Sequence, residues 1–297
     1  MKFKASVFLL AFALTAPLAL FARTDAPALP AASTADQATT AKLVYGLLSD
    51  SRYAYRPRAL DEATSKEVFK KYLETLDGSK QFFTQADMDK FAAFQANLGS
   101  NIASGQLEPA FQVFAVYRQR VDERIGYARK LLKQDFDFNG NEKFEYDRKD
   151  VPWPKDDREL DELWRKSVMN DWLRLKLAGK KSEDIRKTLD KRYANLADSV
   201  KELKSEDVFQ FFMNAYTNTV DPHTDYFTPR TAENFNQQMS LSLEGIGAQL
   251  QKQDDMVVIR EVIPGGPAAV DATLKPGDRI VGVGQGKAGQ VEDVIGW

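Results

Sequence analysis

The spacing of apolar residues predicts a long series of amphipathic helices between about residue 40 and residue 218. In VFKKYLETL, in the stretch from Pro109 to Gln134 and in RELDELWRKSVMNDWLRLKLAG, apolar side chains recur every three or four residues, as on one face of a helix. The residues predicted to form these buried stripes are Val68, Phe69, Tyr72, Leu73, Leu76, Phe111, Phe114, Val121, Ile125, Ala128, Leu132, Leu160, Trp164, Val168 and Trp172. At this spacing the aromatic members are interpreted as core residues and not as the lining of a cofactor pocket.

Capping signals predict where several of these helices begin and end. Thr64 and Glu67 have the spacing of a capping box, and Thr84 begins a helix that ends at Gly99. The other boundary signals are Gly179 as a helix stop and Ser182 and Ser205 as N-caps. An Asn-Gly pair and two prolines interrupt the series in DFDFNGNEKFEYDRKDVPWPKDD, which has room for a short extended piece.

The periodicity changes near the C-terminal end of the chain. After Gly245, the residues Ile246, Ala248 and Leu250 alternate with Gly or Gln, which is the period-two pattern of a strand. MVVIREVI predicts a second strand, joined to the first by a turn at 254–255. PGGPAAVDATLKPGDRIVGVG then predicts a short helix, a Pro-Gly-Asp turn and a strand RIVGVG. Together these elements predict a small α+β module.

Two glycines flank Ile246 at the start of this module, and they have two interpretations. A loop that binds a terminal carboxylate points successive backbone N–H groups at one spot, and glycine permits the positive φ angles and close approach that this needs. On this interpretation Gly245, Ile246 and Gly247 form a carboxylate nest. Ala248 and Leu250 then belong to a strand whose edge pairs with an extended peptide, and Ile246 and Leu250 line the side-chain pocket. The alternative is an ordinary pair of hairpin glycines.

The amino-acid composition limits the kinds of functional site that the chain can form. The chain has 297 residues, of which 43% are apolar and 28% charged, and its formal net charge is −2. This profile is typical of a soluble globular protein and provides no basic excess for binding nucleic acid. The absence of cysteine excludes disulfides and a thiol nucleophile. A metal site would depend on carboxylates and the single histidine, His223, a poor set for zinc, so neither a metal nor another cofactor is predicted.

His223 lies between Asp221 and Asp225 in VDPHTDYFTPR and also has two interpretations. It could act as a general base oriented by an aspartate, but that chemistry needs a nucleophile close by. No serine or threonine lies in a nucleophile motif such as Gly-x-Ser-x-Gly. We therefore prefer the interpretation that Asp221 and His223 fix a loop after a helix through side-chain-to-backbone hydrogen bonds.

The first 22 residues have the pattern of a secretory signal peptide. Lys2 and Lys4 precede the uncharged apolar stretch ASVFLLAFAL, and LALFA ends on the small residue Ala22. Pro17 interrupts an apolar run that is marginal for a membrane span of about 20 residues, so a cleaved signal is preferred to a membrane anchor. The Ala-, Thr- and Pro-rich segment 23–39 is predicted to be a disordered leader. The predicted location is the periplasm of a Gram-negative bacterium.

Several separate motifs, in one order along the chain, resemble a known family. GIGAQLQ followed by IREVIPGGPAAVDATLKPGDRIVGVGQG resembles a bacterial PDZ domain of the kind attached to proteases. YRPRALDEATSKEVFKKYLETLDGSKQFFTQADMDKF and DRKDVPWPKDDRELDELW resemble the helical N-terminal domain of the large periplasmic carboxy-terminal processing, or tail-specific, peptidases. DPHTDYFTPRTAENFNQQMSLSLEGIGAQL resembles the entry to their PDZ domain. The resemblance extends from about Thr40 to Trp297.

The resemblance implies a periplasmic serine endopeptidase that recognises the unstructured, apolar C-terminal tails of substrate proteins. It implies cleavage by a serine–lysine dyad, in which the lysine amine is the base. The implied partners are those tails and an adaptor protein, with membrane contact only through an uncleaved signal. In the family, the end of the PDZ domain and the protease domain follow the point at which this chain stops. The chain is therefore expected to be an N-terminal fragment, and no catalytic residue is assigned in it.

A second function remains open, namely a short periplasmic PDZ-containing peptide-binding or adaptor protein without catalysis. A reading frame that continues past Trp297, or a stop codon there, distinguishes the two. The predicted fold class is mainly α, with a large helical N-terminal domain followed by an incomplete α+β PDZ-like domain. The predicted divisions are a signal peptide at 1–22, a leader at 23–39, a helical domain at 40–235 and a PDZ domain, truncated at its C-terminal end, at 236–297.

Overall fold

The computed structural model describes residues 33–240, 245–253, 256–284, 286 and 289–295. The chain divides into two compact units, one ending at Tyr226 and the other beginning at Phe227. The signal peptide predicted at 1–22 lies outside the described residues, and so does the turn predicted at 254–255. No helix within the described ranges is long and apolar enough to cross a membrane.

The first unit is helical. Its helices are α1 Ala35–Ser49, α2 Glu62–Asp77, α3 Gln85–Ser104, α4 Glu108–Leu131, α5 Asp157–Leu177, α6 Ser182–Glu202 and α7 Ser205–Val220. Helix α2 packs against α3 and α7, while α4 packs against α5, α6 and α7, and α1 lies against α3 and α7. The predicted helical N-terminal domain is therefore confirmed.

One hydrophobic core holds this unit together, and every residue of the three predicted stripes is buried in it. Aromatic rings meet edge to face there, with the centroids of Tyr72 and Phe212 5.3 Å apart and those of Phe69 and Phe94 5.7 Å apart. The hydroxyl of the fully buried Tyr72 donates to the carbonyl oxygen of Ala110 at 3.0 Å. The interpretation of these aromatic residues as core is confirmed.

The capping box predicted at Thr64 and Glu67 is wrong, because Asp61 takes the capping position instead. The Asp61 carboxylate accepts the backbone N–H of Thr64 at 2.8 Å, so helix α2 begins at Glu62. The cap predicted at Thr84 is confirmed, since Thr84 is the N-cap of α3 in a reciprocal capping box with Asp87.

The caps predicted at Ser182 and Ser205 are also wrong. Each serine is the first residue of its helix, one position after the N-cap. The N-terminus of α7 is capped from within, because the Asp207 carboxylate accepts the backbone N–H of Lys204 at 2.8 Å. This leaves the Ser205 hydroxyl free to accept from the Gln37 side chain at 3.0 Å.

Helix α1 begins inside the segment that the sequence assigns to a disordered leader. Thr34 caps the helix through reciprocal hydrogen bonds with Gln37, and Gln37 is buried. The contact between Gln37 and Ser205 joins α1 to α7 and requires the helix to include Gln37. Residues 35–39 are therefore helical, and the leader prediction is wrong for them.

Helix α3 continues through Gly99, where the sequence predicts its end. It packs so closely on the chain before α2 that a Cβ at Gly99 would lie 2.4 Å from the carbonyl oxygen of Leu60. Gly99 is therefore needed for packing, and the helix stops at Ser104, before Gly105 with its φ of +74°. The segment between α4 and α5, all of which is described, contains irregular backbone and no strand.

The second unit has both helices and strands. Its elements are α8 Pro229–Met239, β1 Ala248–Gln253, β2 Met256–Val262, α9 Pro267–Asp271, β3 Arg279–Ile280, β4 Gly282–Gly284 and β5 Val291–Asp293. Strands β1, β2 and β3 form an antiparallel sheet in that order, with Ala248 opposite Val262. Strands β4 and β5 form a separate antiparallel pair. The combination confirms the predicted α+β character of this part of the chain.

The single strand predicted for RIVGVG is two short strands. Strand β3 pairs with β2, whereas β4 pairs with β5, so the ladder changes partner at Val281. A Cβ at Gly282 would lie 2.6 Å from a methyl carbon of Val291. The glycine therefore allows β4 to approach β5 closely.

Candidate peptide-binding site

The loop formed by residues 245–247 leads directly into β1, a strand at the edge of the described three-stranded sheet. Gly247 has a φ of +75°, a left-handed backbone conformation that glycine adopts without steric cost. The loop precedes β1, whereas the connection from β1 to β2 lies beyond Gln253. The glycines therefore do not form the turn of this hairpin, and their placement argues against the hairpin interpretation.

Gly247 also lies against the start of helix α9. A Cβ at Gly247 would be 2.9 Å from Cδ of Pro267 and 3.0 Å from Cα of Gly266. A Cβ at Gly266 would in turn be 3.0 Å from Cα of Gly247. The two glycines permit two backbone segments to touch, and the Gly-Gly pair in PGGP is the sequence signal of this close approach.

The loop is held through its carbonyl groups. The Ile246 oxygen accepts the backbone N–H of Ala268 at 2.9 Å, and the Gly247 oxygen accepts that of Ile263 at 2.8 Å. Within the described part of the chain, the N–H groups of Ile246 and Gly247 donate no backbone hydrogen bond. The loop is thus held through its carbonyl groups, while no described backbone acceptor pairs with these two successive N–H groups.

Strand β1 offers one side of its backbone for further pairing. In the described sheet it pairs with β2 alone, and the pairing register shifts between Gln249 and Leu250. The side chains of Ile246 and Leu250 are each 48% exposed, while Ala248 is half-buried. The loop and strand therefore combine hydrogen-bond donors, an open strand edge and exposed apolar side chains, the three elements of an extended-peptide site.

His223 is not part of this arrangement. Its side chain is 91% exposed, and its backbone N–H donates to the Asp221 carboxylate at 2.9 Å. This hydrogen bond is the main cause that lowers the pKa of Asp221 below its usual range. The interpretation of Asp221 and His223 as residues that fix a loop is confirmed.

In the ranges that the structure covers, no group of three or more His, Asp or Glu side chains is placed to hold a metal ion. The features that the structure shows at the candidate site are backbone donors and apolar side chains.

Comparisons with known proteins identify both parts of the chain. Residues 47–230 match the family model of the tail-specific protease N-terminal domain, and residues 236–294 match the model of the PDZ domain. The chain is 39% identical over 244 residues to the tail-specific protease of Haemophilus influenzae, an alignment that covers 82% of this chain and 35% of that protein. It is 40% identical over 63 residues to the carboxy-terminal processing protease CtpA of Bacillus subtilis, covering 21% of this chain and 13% of that protein.

Among solved structures, the chain matches the PDZ domain of a carboxy-terminal protease from Vibrio cholerae in complex with peptide. The identity is 56%, the match covers 18% of this chain and 55% of that one, and the TM-score is 0.18. The chain spans about a third of the length of the Haemophilus influenzae relative.

Proposed function

This chain belongs to the tail-specific protease family, and we propose that it is the N-terminal portion of a periplasmic serine endopeptidase that recognises apolar C-terminal tails of other proteins. The family match covers residues 47–230, and the PDZ match at 236–294 supplies the module for recognition. Cleavage is assigned to a serine–lysine dyad outside these 297 residues. No residue of the chain is proposed as catalytic.

The observation that carries this proposal is the pair of N–H groups at Ile246 and Gly247 beside an open strand edge. A peptide that pairs with β1 along Ala248 and Leu250 brings its terminal carboxylate to these two donors, where the hydrogen bonds are strengthened by its charge. Gly245 precedes the two proposed donors, and a Cβ there would meet no described atom within 4 Å. Ile246 and Leu250, both 48% exposed, then line the pocket for the last side chains of the peptide.

The test compares two forms of one peptide. A labelled decapeptide that ends in Val-Ala-Ala is titrated with the protein by fluorescence anisotropy, once as the free acid and once with its C-terminus amidated. The free acid is expected to bind about tenfold tighter or more, because a hydrogen bond to a charged group contributes about 1.5–3 kcal/mol. Equal affinities would show that the loop does not bind a carboxylate.

Affinity is also expected to depend on the rest of the PDZ domain. In this proposal a helix outside the 297 residues forms the second wall of the groove. The chain of 297 residues should then bind weakly, and the same chain with the remainder of a PDZ domain appended should bind more tightly. The ratio between free acid and amide is expected in both proteins, because the N–H donors belong to the loop at 245–247.

The alternative is a periplasmic peptide-binding or adaptor protein without catalysis. It is favoured by one observation, namely that the described residues of the candidate site supply backbone donors and apolar side chains and no nucleophile. The two functions differ in what happens to a bound tail. A protease of this family shortens an unfolded protein with an apolar C-terminus, whereas an adaptor retains it intact, and mass spectrometry of the incubated substrate separates them.

A further inference from the structure

The helical unit contains an open cavity of about 490 Å³ between helices α2 and α3 and the segment 149–153. Phe69 and Leu73 of α2, Met88 of α3 and Trp153 supply its apolar lining. This cavity takes no part in the candidate site at β1, which lies in the other unit.

The charged lining of this cavity is mainly basic. Its charged residues are Lys66, Lys70, Lys80, Lys149, Glu74 and Asp150, so four lysines face two carboxylates. The whole chain has a formal net charge of −2, so the excess of lysine in this cavity does not simply reflect the overall composition. The ammonium groups of Lys66 and Lys70 have carboxylate neighbours at 2.7 and 3.8 Å, but the two side chains are 57% and 77% exposed. Such exposed pairs are weak and leave both cations available to a ligand.

One wall of the cavity is built around an unusual lysine. Lys80 has a φ of +52°, a left-handed conformation that is uncommon for a residue with a side chain. Its ammonium group donates to the carbonyl oxygens of Lys149 at 2.8 Å and Val151 at 2.5 Å, and it lies 5.6 Å from the ring centroid of Trp153. These contacts join the turn after α2 to the segment that carries Trp153.

A buried carboxylate also holds the turn after α2 that contains Lys80. Asp77, which is 3% exposed, accepts the backbone N–H groups of Gln81, Phe82 and Phe83 at 2.7–2.9 Å. A backbone conformation that costs energy persists where the surroundings determine it from several sides. The wall is therefore formed before any ligand arrives.

A second cavity of about 560 Å³ adjoins the first, because Gln85 and Trp153 line both. Its charged residues are Lys143, Arg148, Lys155, Lys166, Glu145, Glu159 and Glu162. The two cavities, which we call the basic trough, therefore meet at Gln85 and Trp153 and together are lined by eight cationic and five anionic side chains. A trough of this kind accommodates several consecutive residues of an extended chain, at about 3.3 Å each.

We propose that the basic trough binds an acidic, partly apolar segment of another polypeptide. The lysines complement acidic side chains, and the lining of Phe69, Leu73, Met88 and Trp153 takes apolar ones. An inorganic anion uses none of the apolar lining, and a flat anionic membrane surface does not reach the floor of a concave site. The site is independent of the capture of C-terminal tails and adds a second contact for a substrate or partner protein.

The probe is a labelled 12-residue peptide of three Glu-Leu-Asp-Phe repeats, acetylated and amidated so that it has no terminal carboxylate. Its binding to the protein is measured by fluorescence anisotropy at low salt and again with added NaCl. We expect saturable binding that weakens with salt, and no comparable binding of the isosteric Gln-Leu-Asn-Phe peptide. No saturable binding, or equal binding of the charged and the neutral peptide, would overturn the proposal.

Variants locate the binding on the protein. The double variant Lys66→Glu/Lys70→Glu and the single variant Lys149→Glu should both bind the acidic peptide more weakly than the parent protein. The affinity of the double variant should fall by about tenfold or more. Lys149 lies in a loop, so its reversal tests the site without altering a helix. The conservative variant Lys66→Arg/Lys70→Arg should bind like the parent protein.

The matched control reverses two exposed lysines that do not line the trough, Lys180→Glu/Lys187→Glu. It should leave the affinity measured in 0.1 M NaCl within about twofold, because neither lysine lines the trough and exposed charges farther away than the Debye length of about 10 Å are screened at that salt concentration. An equal loss in the control and the trough variants would overturn the proposal, since the effect would then follow net charge. Displacement of the peptide by anionic phospholipid vesicles or by a dT12 oligonucleotide at lower concentrations than by unlabelled peptide would also overturn it.

Discussion

Replacement of Gly247 by alanine perturbs both features that favour a glycine at this position, its backbone angle and its contact with the start of α9. The φ of +75° lies in the left-handed region, which costs a residue with a Cβ about 1–2 kcal/mol. The new Cβ would also stand 2.9 Å from Cδ of Pro267 and 3.0 Å from Cα of Gly266. Relief of such overpacking typically costs a further 1–3 kcal/mol or moves the backbone.

The loop is expected to move, because the described backbone hydrogen bonds that hold it come from two N–H groups, that of Ile263 just after β2 and that of Ala268 in α9. A shift of the loop misaligns the donors at Ile246 and Gly247 for a carboxylate. A loss of about 1.4 kcal/mol, or tenfold in affinity for the free-acid peptide, is the least that we expect. Gly247→Val should lose more, since a β-branched residue is still less tolerant of positive φ.

The control is Gly245→Ala. Gly245 has no positive φ, and a Cβ there would meet no atom of the described structure within 4 Å. This variant should retain the affinity of the parent protein within about twofold. Gly266→Ala tests the contact from the other side, because its Cβ would lie 3.0 Å from Cα of Gly247. It should weaken peptide binding although Gly266 lies outside the loop.

The assay is the anisotropy titration with free-acid and amidated peptides, together with thermal unfolding of each variant. A folded Gly247→Ala protein that binds the free acid as tightly as the parent would refute the assignment of the loop. Loss of binding to both peptides in equal proportion would show that the substitution damages the strand edge and not the carboxylate contact.

Three other predictions follow from other parts of the chain. Gly99→Ala should destabilise the helical unit by at least about 1 kcal/mol, because its Cβ would lie 2.4 Å from the Leu60 carbonyl oxygen. Gly126→Ala should stabilise the unit by about 0.5–1 kcal/mol, because no described atom lies within 4 Å of its Cβ. Urea unfolding measures both changes, and changes of the same sign would contradict the packing argument. Burial raises the pKa of Asp77 from 3.8 to about 6, so the folded protein binds this proton more tightly than the unfolded chain does. Relative to the Asp77→Asn variant, the free energy of unfolding should therefore fall by up to about 3 kcal/mol as the pH rises from 4 to 7. Parallel pH profiles of the two proteins would show that Asp77 does not titrate in this range. Intact-mass analysis of protein secreted by a Gram-negative host should show the loss of about 22 residues, and a mature protein that retains Met1 would contradict the signal prediction.

The sequence by itself determined the helical domain and its core. Residues such as Tyr72, Phe114 and Trp164 are buried because they recur on one face of a helix, and a face of that width must meet another apolar surface. The switch to period two after Gly245 likewise identified strands β1 and β2. These features are local, so a pattern within one segment is enough to predict them.

Only the tertiary structure decided what the individual glycines and caps do. Glycine often ends a helix, but Gly99 lies inside α3, where the backbone of Leu60 approaches it from another part of the chain. Gly247 lies against Gly266, which is 19 residues away in the sequence, and the side chain of Gln37 donates a hydrogen bond to Ser205, which is 168 residues away. No local sequence pattern contains these contacts. The basic trough is formed in the same way, since its lysines come from α2, from the turn after it, from the segment 143–155 and from α5. Each of these features depends on two segments meeting in space, and the free energy of that contact is absent from either segment alone.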